Sequence, residues 1–447
     1  MNNGFGFSFP RDGGDDGDDR EGQGGQGGAF GFGAQGGNLG DLLNQFGQML
    51  SGMGSSMNQR SEGDAVNFDM SLRMARQRIG SPAAVSDSDQ TAVSDSLRLA
   101  ELWIDGATTL PASGSAPQAW NAETWLNSTM PAWKRLVNPV AEHMNRAQLE
   151  SMPEEAREML GPMAGMFGQM NAMNFGMKLG HALADLAQQA LTGTDFGLPV
   201  APQGTAALLP ANATKMAKEL NVPGQEVLVY LSAREAARQR LLTHVPWLVE
   251  RLISSVEEYA AGLELDTSRL EEIARSLDLE SGDPQEIQRK LGELQGEDLS
   301  PRVTSRNASA TARLETLLAL LEGWVDVVVE DALADRIPSS ARLAEAWTRR
   351  RATGGSAEQA FSSIVGIELS APKVREAAEL WRRVGVAVGQ ERRDKVWDHP
   401  DFLPEAADLD HPAAFIDTLL DDTVEADLDE EFVKLEEELR NEDEDDS

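Results

Sequence analysis

The 447-residue chain contains no cysteine and only five histidines. Without thiols it has no disulfide framework, no thiolate metal site and no cysteine nucleophile, which fits a reducing compartment. Basic residues are also scarce: 39 Lys and Arg stand against 74 Asp and Glu, a formal net charge of −35. A chain of this charge repels nucleic acid and anionic membrane, and no basic patch interleaved with aromatics offsets it. No uncharged apolar run is long enough to span a bilayer. The opening stretch MNNGFGFSFPRDGGDDGDDREG lacks a basic region followed by an apolar run, so it does not read as a secretory signal. These absences predict a cytoplasmic protein whose partners include neither nucleic acid nor membrane.

What is present divides the chain into three parts. Residues 1–65 are rich in Gly, Asp, Gln and Ser: 19 of the 41 glycines fall before residue 67. Such sequence buries too little apolar surface to offset its chain entropy and is expected to be disordered. Within it, NLGDLLNQFGQMLSGM (Asn38 to Met53) carries Leu39, Leu42, Leu43, Phe46 and Met49 at helical spacing, which reads as a transient or docking helix. Residues 66–420 hold long segments of helical period, including 213–261, 311–335, 340–350, 356–367 and 371–389. Alternating β-branched stretches are scarce. The expected fold class is mainly α, a helical core with at most a small sheet. Residues 421–447 contain 15 Asp and Glu against 2 Lys and Arg and are expected to form a disordered acidic tail.

A methionine stripe runs through EMLGPMAGMFGQMNAMNFGMKLGHAL. Met159, Met163, Met166, Met170, Met173 and Met177 share one helical face, with Gly161, Gly165, Gly168, Gly176 and Gly180 around it. The stripe reads either as an adaptable groove for a peptide or partner helix or as a core face packed closely through its glycines. Apolar stripes of this kind are more often core.

Two helices carry charge where apolar residues are expected. In YLSAREAARQRLLTHVPWL, Arg234 and Arg238 share a face with Leu231, Leu241 and Val245. Histidines at those two positions would make H-E-x-x-H, the helix in which two imidazoles hold zinc and the Glu activates its water. In RLETLLALLEGWVDVVVEDAL, Glu322 and Asp326 interrupt an apolar run at i, i+4 spacing, and buried carboxylates need partners. The two pairs are expected to meet as a structural charge cluster.

YLSAREAARQRLLTHVPWL, LETLLALLEGWVD, RRRATGGSAEQAFSSIVGIEL and RDKVWDHPDFLP together resemble the bacterial zincin-like metallopeptidase family, in the branch labelled zinc-dependent metalloprotease or hydrolase. The resemblance covers roughly residues 66–420. It implies a zincin-like helical core and a nominal peptidase activity. It places the two histidine positions on Arg234 and Arg238, the catalytic glutamate position on Glu235, and a third ligand position on Glu322. Guanidinium stays protonated and offers no lone pair, so the zinc motif is degenerate. The expectation is no cofactor and a non-catalytic binding or scaffold protein with a protein or peptide partner. The alternative is an active metal-dependent hydrolase with an atypical site, holding zinc.

The remaining candidates are weaker. His143, His181, His244, His399 and His411 include no pair at ligand spacing. DHPDFLP sets His399 between two aspartates, but its two prolines read as a turn. RRRATGGSAEQ could cradle an anion on a helix N-terminus. The stronger reading is a turn at Gly354-Gly355 and a cap formed by Ser356 with Gln359.

Overall fold

The computed structural model describes residues 65–150, 164–266, 302–353, 359, 360, 362, 364 and 373–421, all within the unit Gly63–Ser447. The Asn38 to Met53 segment, the acidic tail beyond 421, Met159 and Met163, and the Gly354–Glu358 turn lie outside the described residues.

Local capping chemistry starts several of the helices. Asn67 accepts the Met70 N–H to open α1 (Phe68–Ile79), and Ser86 forms a capping box with Asp89 to open α2 (Asp87–Ile104). A short strand β1 (Ala116–Ala119) leads into the long helix α3 (Ala122–Glu150), and α4 (Ala164–Gln189) follows. Strand β2 (Thr205–Leu208) pairs in parallel with β1, Ala116 opposite Thr205. Helices α5 (Pro210–Leu220), α6 (Gly224–His244) and α7 (Leu248–Ala261) come next. Strands β3 (Leu263–Asp266) and β4 (Arg302–Ser305) form an antiparallel pair. The described chain continues through α8 (Ala308–Leu333), α9 (Ser340–Ala352), α10 (Val374–Lys395) and α11 (Ala406–Asp410). Among the described residues the fold is mainly α with two small two-stranded sheets.

Glycine governs two of the helix crossings. On α4, a Cβ at Gly176 would lie 2.5 Å from the Asn67 carbonyl oxygen, and one at Gly180 would lie 2.6 Å from that of Ser71. The glycines of the methionine stripe therefore let α1 and α4 meet backbone to backbone. Helix α1 starts level with Ala172, whose carbonyl accepts the Asn67 N–H. Met166 and Met170 lie before that level and are exposed (43% and 50%), while Met173 and Met177 are half-buried. The stripe is thus packed toward its C-terminal end and open to solvent toward its start. At the second crossing, Gly323 of α8 meets α10, where a Cβ would lie 2.7 Å from Ala377 Cβ and from the Ala378 nitrogen.

Helices α6 and α8 occupy the centre. Helix α6 is flanked by α2, α5, α8 and α9, and α8 by α6, α7 and α10. From Tyr230 to Leu241 every residue of α6 is buried, charged ones included. Tryptophans 125, 133, 324, 347, 381 and 397 are all buried. Two of them bind their surroundings through the indole N–H: Trp381 donates to the Leu320 carbonyl and Trp324 to Asp394.

Candidate functional site

The i, i+4 spacing aims Arg234 and Arg238 from α6 at the Glu322 and Asp326 stripe of α8. Arg238 grips Glu322 with two nitrogens: Nε donates to Oε1 at 2.6 Å and Nη2 to Oε2 at 3.1 Å. Arg234 bridges both acids, donating from Nη2 to Glu322 Oε2 at 2.9 Å and from Nη1 to Asp326 Oδ1 at 2.7 Å. A third arginine arrives from the end of α9. Arg351 donates to Glu322 Oε2 at 3.3 Å and to Asp326 Oδ2 at 2.8 Å. Bidentate guanidinium–carboxylate pairs of this kind are the strong, directional ones. Arg234 and Arg238 are each 1% exposed, and Glu322 is 7% exposed.

Aromatic rings and a glycine turn complete the packing. The ring centre of Trp347, on α9, lies 4.4 Å from the Arg234 guanidinium carbon and 5.6 Å from that of Arg238. A cation over an indole face in a desolvated site is attractive by up to about 2 kcal/mol. Gly197, at φ 73°, turns against Glu322, where a Cβ would lie 3.1 Å from Oε1. The position needs glycine both for its left-handed backbone and for this close approach. Next to Arg351, Arg350 pairs with the buried Asp195, whose Oδ2 also accepts the Leu191 N–H at 2.9 Å.

The electrostatics follow from burial set against partners. Burial alone would raise the Glu322 carboxyl, but the guanidiniums of Arg238 and Arg234 outweigh it and hold the group down at about 2. Burial alone would lower Arg234, but Asp326 and Glu322 reverse that and raise it. Burial also pushes the neighbouring Tyr230 phenol up. Glu322 and Arg234 are therefore ionised at neutral pH, with Tyr230 protonated beside them.

Glu235 is 0% exposed and has a different set of partners. Thr194 donates to its Oε2 from both the hydroxyl, at 2.7 Å, and the backbone N–H, at 3.2 Å. Gln239 donates to its Oε1 at 3.1 Å and in turn accepts from the Ser115 hydroxyl. These bonds fix the carboxylate inside the protein.

These residues do not fit a zinc ion. Arg234 and Arg238 offer guanidiniums, which have no lone pair for a metal, and all four oxygens of Glu322 and Asp326 already accept from arginine. Among the described residues, no group of three or more His, Asp and Glu side chains could hold a metal. Of the histidines, His181, His244, His399 and His411 are exposed and His143 is half-buried. His399 Nδ1 accepts the Asp401 N–H in a short 3₁₀ turn, as its prolines suggest.

Several cluster members are invisible to sequence reasoning: Asp195, Thr194, Trp347, Arg350 and Arg351. The arginine triplet could be read as an anion cradle, but Arg350 and Arg351 bind the protein's own carboxylates. The excess of arginines at the end of α9 is the one local signal that could have drawn attention to them.

A family profile described as zincin-like metallopeptidase matches residues 66–416. No curated protein matches the chain. Among solved structures, the fold is similar to one from Chloroflexus aurantiacus described as "a putative hydrolase with a novel fold". The two share 14% identity with a TM-score of 0.55, over 79% of this chain and 98% of the other. At that identity the likeness is one of fold.

Proposed function

The chain belongs to the zincin-like metallopeptidase family, and from that premise we propose that it works by binding, as a scaffold or peptide-binding protein, and not by metal-dependent hydrolysis. One observation carries the reading: Arg234 and Arg238, where the resemblance implies the zinc-binding histidines, are buried and ion-paired to Glu322. A second supports it. Water activation needs a carboxylate that can reach a reacting water, and Glu235 is sealed among Thr194 and Gln239.

The binding half of the reading rests on the open start of the methionine stripe, since exposed methionines suit adaptable contacts. The partner class is a protein or peptide. Nucleic acid and membrane are disfavoured by the net charge of −35. A cytoplasmic setting is supported by the lack of cysteine. None of the described helices is long and apolar enough to cross a membrane.

Metal analysis of the purified protein together with a peptidase assay tests the catalytic half. The expected result is well under a tenth of an equivalent of zinc and no hydrolysis. Zinc near one equivalent with peptide cleavage would establish the alternative, an active hydrolase with an atypical site. For the binding half, Met166→Glu with Met170→Glu should leave the unfolding temperature unchanged. A protein partner that co-purifies with the parent should be lost from this variant; equal recovery would remove the stripe from the reading.

A further inference from the structure

We propose that Arg234 and Arg238 stand, by charge, where the zinc implied by the family resemblance would sit: their two guanidiniums clamp α6 to α8 and α9, and no metal is needed to hold these helices together. The inference goes beyond the proposed function, because a protein can be non-catalytic and still depend on a structural zinc.

Charge conservation is the first argument. A zinc ion held by two neutral imidazoles brings two positive charges to the helix face. Two arginines at the same spacing bring the same two charges on side chains that never deprotonate. The acids on α8 see the same total charge in either arrangement.

Pairing within the cluster is the second. Arg234, Arg238 and Arg351 supply three cations to Glu322 and Asp326, and Arg350 pairs with Asp195. Buried charges are tolerable when they are paired, and each of these carboxylates already has a guanidinium partner without any added ion. A zinc ion would add two further positive charges to a group already rich in cations.

Connectivity is the third. A metal joins helices because several of them send ligands to one point. Here Glu322 receives Arg238 and Arg234 from α6 and Arg351 from α9. Trp347 packs against the same two guanidiniums from α9. The carboxylate of Glu322 is thus the common point, and the guanidiniums radiate from it.

Thermal unfolding of the full-length protein tests the clamp. The parent should show the same unfolding temperature after a zinc chelator and after added zinc. A fall in chelator that zinc reverses would overturn the proposal while leaving the non-catalytic reading intact. Arg234→His with Arg238→His should unfold at lower temperature than the parent in chelator, and zinc should raise it by about 5 °C or more. Zinc acting on parent and variant alike, or on neither, would show that these are not the exchanged positions. If that variant does not fold with or without zinc, a charge cycle decides. Arg238→Met and Glu322→Leu should each lower the unfolding temperature, and the double variant, which loses one cation and its carboxylate partner together, should recover at least half of the summed loss. Strictly additive losses would overturn the clamp.

Discussion

Glu322 is the residue on which the cluster turns, because three arginines meet on its two oxygens. Truncating one member of a buried ionic group leaves the others charged and unpaired, so Glu322→Ala should destabilise the fold by about 3–5 kcal/mol in denaturant titration. An exposed pair such as Arg135–Glu250, with both side chains more than half exposed, should contribute under about 1 kcal/mol. The same carboxylate predicts a pH dependence. Its ordinary value is 4.5 and in the folded protein it is held at about 2. A depressed carboxylate stabilises the fold above its unfolded value and loses that contribution as pH falls through its folded value. The Glu322 contribution is therefore complete above about pH 4.5 and disappears toward pH 2. That interval corresponds to roughly 3 kcal/mol. Comparing acid unfolding of the parent with that of Glu322→Gln measures it: the stability difference between the two should shrink as pH drops through this window, and a difference constant with pH would remove Glu322 from the account.

Between elements, glycine decides how closely helices approach, and the two sorts of glycine in this fold predict opposite outcomes. A methyl group at Gly323 would meet the Ala378 backbone nitrogen and Ala377 Cβ at 2.7 Å, so α8 and α10 would have to separate. Forced overpacking costs about 1–3 kcal/mol, more than the gain of about 1 kcal/mol from replacing a helical glycine with alanine. Gly323→Ala should therefore lower stability. Gly168 on α4 has nothing within 4 Å of a built Cβ. Gly168→Ala should keep the propensity gain and raise stability by up to about 1 kcal/mol. Urea unfolding of the two variants gives both signs, and equal signs would mean the crossing at Gly323 is looser than described. The same two positions show why a glycine count says little by itself. In the sequence both are helical glycines, and only the neighbouring helix separates a contact from a gap.

For the molecule as a whole, what is legible in the sequence is what is local. Mainly helical character follows from the 3.6-residue period of segments such as Arg313 to Leu333, and the structure has it. Arg234, Arg238, Glu322 and Asp326 stand out because each breaks an apolar stripe, and their ion pairs lie across those two stripes. The contributions of Asp195 and Arg350 are not legible, since 155 residues separate the partners. Nothing in WTRRRA marks which arginine turns inward. The strands APQA and TAAL have no apolar alternation to announce their pairing. The same division between local surface and assembled interior yields a prediction about salt. The chain carries a net charge of −35, while Arg234, Arg238 and Glu322 at the centre of the cluster are buried and paired with one another. Self-repulsion among exposed acids is screened by salt, but buried pairs are screened far less. Raising sodium chloride from about 0.05 M to about 0.5 M, across a Debye length that shrinks from roughly 14 Å to roughly 4 Å, should therefore raise the unfolding temperature of the parent. Glu322→Gln should rise by the same amount, because the interaction it removes lies out of reach of the ions. The gap between parent and variant should stay constant across the series. A gap that closes as salt is added would show that solvent ions reach Glu322, and that the cluster is an open surface network and not an interior clamp.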